Sequence, residues 1–151
     1  MAALADLDLR VGPGVSADAE AFGEVAAEWF ARHGTRRSPG LNRSGDLGGR
    51  VRAARAYQRD LAEAGLAALD WPAEYGGQAL GREYLDVFAA AARDYETFGD
   101  VFTIGLGMCA PVLLALGSAG QRDRYLRPML RGQELWCQLF SEPGAGPTLR
   151  H

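Results

Sequence analysis

The sequence contains no lysine, because all sixteen of its basic residues are arginine. It also has only two cysteines and two histidines, with neither the spacing of a metal site nor that of a disulfide framework. Nineteen acidic residues give a formal net charge of −3, whereas a general nucleic-acid-binding protein needs a basic face. The sequence therefore argues against nucleic-acid, metal and disulfide-stapled classes, and Cys109 and Cys137 are expected to be reduced and buried.

Signals for export and membrane insertion are also missing. The N-terminus lacks the basic flank and the long apolar core of a signal peptide. No run approaches the roughly 20 apolar residues that span a bilayer, so we expect no membrane span and a cytoplasmic location. Residues 1–15, broken by Gly12-Pro13-Gly14, are predicted to be a flexible leader.

The apolar pattern predicts an all-α fold, an up-and-down bundle of about five helices with a C-terminal strand stub. A hydrophobic fraction of 48% in 151 residues is enough for one core. Short connections favour antiparallel neighbours. The predicted helices cover residues 16–34, 47–64, 82–98, 101–116 and 119–128. The fourth carries no charge, so we expect it to be buried at the centre, with a kink at Pro111.

Local signals predict where several helices begin and end. Gly65 has the position of a residue that follows a helix with positive φ. Ser118 and Gln121 have the spacing of a capping box, which predicts the start of the last helix. Pro128 is expected to end that helix.

Residue patterns for common catalytic chemistry are not present. His33 lies at a predicted helix end and His151 is the last residue. Zinc-protease, dithiol and serine-hydrolase motifs are absent, and Gly105-Leu106-Gly107 lacks the third glycine of a dinucleotide-binding fingerprint. We therefore predict no catalytic and no metal-binding residue.

The last part of the sequence is the most informative. An apolar, strand-like run over residues 135–141 breaks into a turn rich in glycine and proline over residues 142–146. A strand followed by a glycine-rich turn often brings backbone N–H groups to a phosphate or cofactor, although an ordinary turn is the alternative.

Six segments together carry a resemblance to a known family. Their order and spacing resemble the N-terminal helical domain of the acyl-CoA dehydrogenases, which are FAD flavoproteins. The most specific is Leu139-Phe140-Ser141-Glu142-Pro143-Gly144-Ala145-Gly146. The segments are residues 61–66, 71–77, 104–108, 111–114, 121–128 and 136–146. The resemblance implies a helical domain over residues 16–134 and the start of a flavin-contacting strand and loop over residues 135–151.

The resemblance also implies an activity and a set of site residues. Complete members add a β-barrel and a C-terminal helical domain, and remove two hydrogens from an acyl-CoA thioester with FAD as acceptor. Their glutamate base usually lies in the C-terminal domain, so no residue here is assigned to catalysis. The positions that match cofactor contacts are Gln138, Phe140, Ser141 and Gly146. Those that match acyl-tail contacts are Thr103, Ile104 and Gly107, for which core packing is the alternative.

The sequence departs from the family pattern after Gly146. Pro147-Thr148 stands where the family has Ser-Asp, and a one-base shift of reading frame would produce this change. We therefore expect a chain that is truncated before the barrel and inactive alone. The alternatives are a helical interaction module and a non-functional fragment of a split or frameshifted gene. A module of this kind would associate with itself or with a partner chain carrying the missing domains.

Overall fold

The computed structural model describes residues 15–37 and 46–139, and within them the chain is helical, as predicted. The five helices are α1 (Val15–His33), α2 (Leu47–Glu63), α3 (Arg82–Ala92), α4 (Gly99–Leu116) and α5 (Ala119–Leu130). A single 3₁₀ turn, Ala73–Tyr75, lies between α2 and α3.

The predicted strand stub is not formed as far as residue 139. Residues 134–139 have no regular secondary structure, and a strand needs a neighbour with which to pair. The described residues supply no strand, so the apolar run has no backbone partner there.

Helices α1 and α3 pack against each other through apolar side chains. Phe22, Ala26 and Phe30 repeat every fourth residue of α1 and are fully buried. The Phe22 ring packs edge-on against Tyr84 at 5.4 Å, and the Phe30 ring packs against Phe88 at the same distance. Each such aromatic side chain stabilises the fold by about 1.5–3 kcal/mol through burial.

Helix α2 is capped at both ends. The Asp46 carboxylate accepts a hydrogen bond from the Gly49 N–H at 2.8 Å. At the other end Gly65 has φ +72°, and Leu66 N–H donates to the Leu61 carbonyl at 3.0 Å. This is the Schellman arrangement, which confirms the predicted role of Gly65.

Helix α3 ends at Ala92, whereas the sequence predicted a helix as far as residue 98. The chain beyond it pairs with the segment that follows α1. Arg37 N–H donates to the Asp94 carbonyl and Glu96 N–H to the Thr35 carbonyl, both at 2.8 Å. These long-range bonds replace the helical ones, so the prediction of the longer helix was wrong.

Helix α4 lies largely at the surface, which corrects the prediction of a buried central helix. Only 17% of Gly99–Leu116 is buried, and Met108, Val112 and Leu116 expose 51%, 57% and 84% of their surface. An apolar pattern indicates that a helix needs a cover, but it does not say which element supplies that cover. Helix α4 is long enough and apolar enough (mean hydropathy 1.8) to cross a membrane, but core helices of soluble proteins share both properties.

Helix α5 begins with the predicted capping box and continues past Pro128. Ser118 Oγ accepts from Gln121 N–H at 3.3 Å, and Gln121 Oε1 accepts from Ser118 N–H at 2.9 Å. The prediction that Pro128 ends the helix was wrong, since the helix extends to Leu130. Burial of Met129 and Leu130 offsets the backbone hydrogen bond that proline cannot make.

Candidate functional site

The three residues predicted on the acyl side lie on one unusual stretch of α4. Residues Thr103–Cys109 are π-helical, and the Ala110 N–H donates to the Gly105 carbonyl, five residues back. Such wide turns are rare and are frequent at functional sites. Pro111, which has no N–H to donate, follows directly in the first α-helical turn of Ala110–Leu116.

Thr103, Ile104 and Gly107 differ in their surroundings. Thr103 is exposed, and its hydroxyl donates to the Gly99 carbonyl at 2.7 Å. Ile104 is half-buried. Gly107 is exposed, and a Cβ built on it would meet no atom within 4 Å. The stretch therefore presents a small, open, uncharged surface.

The flavin-side residues lie on the segment that follows α5. Gln138 is exposed, as are its neighbours Cys137 and Leu139. Phe140, Ser141 and Gly146 lie outside the described residues. Both cysteines are free, and the exposure of Cys137 corrects the expectation that both thiols are buried.

Two side chains of α2 hold the start of this segment, and the sequence analysis did not identify them. Arg55 donates to the carbonyls of Gly132 (Nε, 2.8 Å) and Gln133 (Nη2, 2.9 Å). The buried Gln58 amide donates to the Leu130 carbonyl at 2.8 Å. Side chains of α2 thus donate to backbone carbonyls at the C-terminus of α5 and just beyond it, where the helix itself supplies no donors. No local pattern reveals bonds that span more than seventy residues of sequence.

A charged cluster at the start of α4 was also missed. The Arg50 guanidinium, 9% exposed, lies between the carboxylates of Asp100 and Glu96 and 5.2 Å from the centre of the Phe98 ring. The hydrogen bond to Asp100 raises the pKa of Arg50, as do the charges of both carboxylates. Burial raises the pKa of the nearby Tyr57 hydroxyl, with a further contribution from Glu96. The cluster fixes α2 to the turn from which α4 begins.

A second ion pair lies beside the segment that follows α5, residues 131–139, hereafter the exit segment. Arg124 on α5 donates to the Glu134 carboxylate at 2.6 Å, and this bond lowers the pKa of Glu134. Glu134 also accepts a long hydrogen bond from the Trp136 indole, at 3.5 Å. Each oxygen of the Glu134 carboxylate thus accepts a hydrogen bond, Oε1 from Arg124 on α5 and Oε2 from the Trp136 indole.

Two of the cavities formed by the described residues lie beside α2. One, of about 330 Å³, is polar and is lined by Arg59, Ala62, Glu63, Arg131 and Gln133. The other, of about 240 Å³, is mainly apolar and is lined by residues 66–70, by two residues each of α2 and α3, and by Leu106. Neither is lined by a predicted site residue. In residues 15–37 and 46–139 we find no cluster of three or more acidic, histidine or cysteine side chains able to hold a metal.

Comparisons with known proteins agree with the resemblance drawn from the motifs. The family model described as acyl-CoA dehydrogenase, N-terminal domain, matches residues 16–133. Acyl-CoA dehydrogenase IpdE1 of Mycobacterium tuberculosis is 38% identical over 95 residues, which are 63% of this chain and 25% of that protein. Acyl-CoA dehydrogenase FadE34 of the same organism is 43% identical over 89 residues, 59% of this chain and 12% of that protein.

A more distant relative matches along more of the chain. Mitochondrial isovaleryl-CoA dehydrogenase of Pongo abelii is 23% identical over 134 residues, which are 88% of this chain and 31% of that protein. The chain therefore spans less than a third of the length of each of these three relatives. None of the solved structures is a significant match.

Proposed function

Because the chain belongs to the acyl-CoA dehydrogenase family, as an N-terminal domain, we propose that it forms one side of a site in which FAD oxidises an acyl-CoA thioester. The observation that supports this most is the proximity of two segments of the predicted site. The Cβ of Trp136, two residues before Gln138, lies 3.6 Å from where a Cβ on Gly105 would stand, in the same π-helical stretch as Thr103 and Gly107.

On the acyl side, the π-helical stretch offers open space and an apolar surface for an acyl chain. Gly107 leaves open space at the surface, and Ile104 adds a half-buried apolar side chain. The Thr103 hydroxyl is already bonded to a backbone carbonyl, so its methyl group and Cβ are left to contact an acyl tail. We assign these three residues to the tail and not to the thioester.

On the flavin side, FAD when bound supplies the hydride acceptor. The exposed Gln138 fits an edge contact to such a group, since its amide is free to donate and to accept. Phe140, Ser141 and Gly146 are proposed to continue this contact, with Gly146 allowing close approach of the backbone to phosphate. We propose that these residues contribute one face of a flavin site and that the chain alone is inactive.

The proposal is tested by supplying the rest of the enzyme. The chain is purified alone and together with a polypeptide covering the remaining length of the relative IpdE1. Visible flavin absorbance is read after excess FAD is removed, and reduction of an acceptor dye by acyl-CoA is measured. We expect the chain alone to be colourless and the pair to retain flavin and reduce the dye. A folded pair without flavin, or one with flavin that oxidises no acyl-CoA, would overturn the proposal.

A matched pair of substitutions tests the acyl side. Gly107 and Gly120 are both exposed helical glycines with open space where a Cβ would be added, but only Gly107 is on the π-helical stretch. Gly107→Val should raise the KM for acyl-CoA in the paired enzyme and leave flavin retention unchanged. Gly120→Val should change neither. Equal effects of the two substitutions would remove Gly107 from the site.

The exposed face of α4 favours a second candidate function, a helical interaction module. Met108, Val112 and Leu116 form an apolar stripe at intervals of four residues. A partner carrying the β-barrel and C-terminal helical domain of complete family members would cover this stripe and restore the first function in trans. Co-purification with an unrelated protein through the same stripe would favour the second function.

A further inference from the structure

The contacts of the segment that follows α5 stop at Trp136. Leu135 packs against the small cluster formed by Ala54, Phe98 and Phe102. Trp136 is half-buried, but residues 137–139 are all exposed. The segment therefore passes from a fixed part to a solvent-exposed part within one residue, directly before the predicted flavin-side residues.

Three groups fix the Trp136 side chain. The Tyr125 ring on α5 packs edge-to-face against the indole, with 5.2 Å between centroids and an interplanar angle of 84°. The indole Nε1 donates to Glu134, which Arg124 holds in place. Edge-to-face aromatic pairs contribute about 0.5–1.5 kcal/mol beyond area burial.

The third contact is with the π-helical stretch. A Cβ built on the buried Gly105 would lie 3.6 Å from the Trp136 Cβ and 3.4 Å from the Met129 Sδ. Both α5 and the exit segment therefore lie close to the backbone of α4 at Gly105. Because Thr103 and Gly107 belong to the same stretch, this contact joins the two predicted halves of the site directly.

We propose that Trp136 is a positioning residue for the site. Its contacts with Gly105 and Tyr125 set the point at which the flavin-side segment leaves the domain, and hence the distance of Gln138 from Thr103 and Gly107. The roles of these two segments rest on the proposed function, whereas the positioning itself is a property of this chain and needs neither FAD nor substrate.

The test measures that distance in the chain itself. Cys109 is replaced by Ala, and a nitroxide spin label is attached to the exposed Cys137. Paramagnetic broadening of the amide resonances of residues 103–107 then reports how close the segment lies to the π-helical stretch. Three variants are compared: Trp136→Ala, the conservative Trp136→Phe, and the control Trp29→Ala, which removes a half-buried indole that packs on Phe30 and Tyr57.

The expected result separates positioning from general stability. The parent chain, Trp136→Phe and Trp29→Ala should all broaden residues 103–107, and Trp136→Ala should lose the broadening while α1 and α3 keep their native chemical shifts. Retained broadening in Trp136→Ala would overturn the inference. So would equal loss in Trp29→Ala, or loss in a folded Trp136→Phe chain. None of these results bears on flavin binding by the paired enzyme, so the proposed function is judged separately.

Discussion

Arg50 and Asp100 form a two-pronged ion pair that joins α2 to the first turn of α4. Arg50 Nε lies 3.1 Å from Asp100 Oδ2, and Arg50 Nη2 lies 2.5 Å from Oδ1. Glu96 lies 3.6 Å from the same Nη2 and also accepts a hydrogen bond from the Phe98 N–H at 3.1 Å. Phe98 has φ +52°, a conformation that a residue with a side chain rarely adopts, so the cluster holds a strained turn.

Removing this guanidinium should weaken the domain. Arg50→Ala is expected to lower the free energy of unfolding by about 1–2 kcal/mol, because hydrogen bonds to charged groups contribute about 1.5–3 kcal/mol and the partial exposure of Asp100 reduces this. Urea denaturation measures the change. The control is Arg82→Ala, since the Arg82–Asp86 pair is highly exposed and its loss should cost at most about 0.5 kcal/mol. Equal effects would contradict the prediction.

Gly132 should not tolerate a side chain. It has φ +64°, and a Cβ there would lie 3.1 Å from the Arg55 carbonyl oxygen. Gly132→Ala is therefore expected to cost about 1–2 kcal/mol from the left-handed conformation, and more if α2 must shift. Gly120→Ala, in a helix with no atom near the new methyl group, should instead stabilise by about 0.4–1 kcal/mol. Thermal unfolding of both variants is the measurement, and a stabilising Gly132→Ala would be the contrary result.

The attachment of the exit segment should depend on pH. Arg124 lowers the pKa of Glu134 below that of a free carboxyl group. A lowered pKa in the folded state means that the ion pair contributes fully above the unfolded pKa of about 4.3 and is lost as pH falls through the folded value. Protection of the Glu134 amide from exchange, measured against the intrinsic rate at each pH, should therefore fall in acid. Glu134→Gln should remove this loss of protection in acid. An unchanged loss in that variant would mean that another group titrates.

The exposed stripe on α4 should drive association. The wild-type chain is expected to sediment as a concentration-dependent oligomer, because contiguous exposed apolar surface favours contact between copies. Val112→Glu should shift it toward the monomer and change stability by no more than about 0.5 kcal/mol, as expected for a surface site. Ala89→Glu, at an exposed position of α3, is the control and should leave sedimentation unchanged. A wild-type chain that is monomeric at all concentrations would refute this prediction.

Local chemistry explains what the sequence predicted well. The capping box of Ser118 and Gln121 and the helix stop at Gly65 each depend on a few neighbouring residues, so both could be found by spacing alone. The early end of α3 depends on a backbone hydrogen bond between Glu96 and Thr35, which no short stretch of sequence could predict. The same holds for Arg55, whose partners lie at the far end of α5.

The site was predictable only in part, for a related reason. The family resemblance predicts Thr103, Ile104 and Gly107 as acyl-side residues, and all three lie on one stretch of the structure, but nothing local indicates that this stretch is π-helical. The importance of Trp136 depends on where Tyr125 and Gly105 come together in the fold. The apolar character of α4 was evident, but its exposure was not, because patterning describes a helix and not its surroundings.

The π-helical turns within α4 make the direction of the second half of that helix insensitive to chain length. A wide turn holds more residues than the roughly 3.6 of an α-helical turn, so removing one residue from Thr103–Cys109 would restore α-helical winding and leave Ala110–Leu116 facing nearly the same way. The apolar stripe would then keep its direction although the chain is one residue shorter. Among related domains, a length difference of one residue at this point should therefore accompany a change in winding and not a change in what the second half of the helix touches.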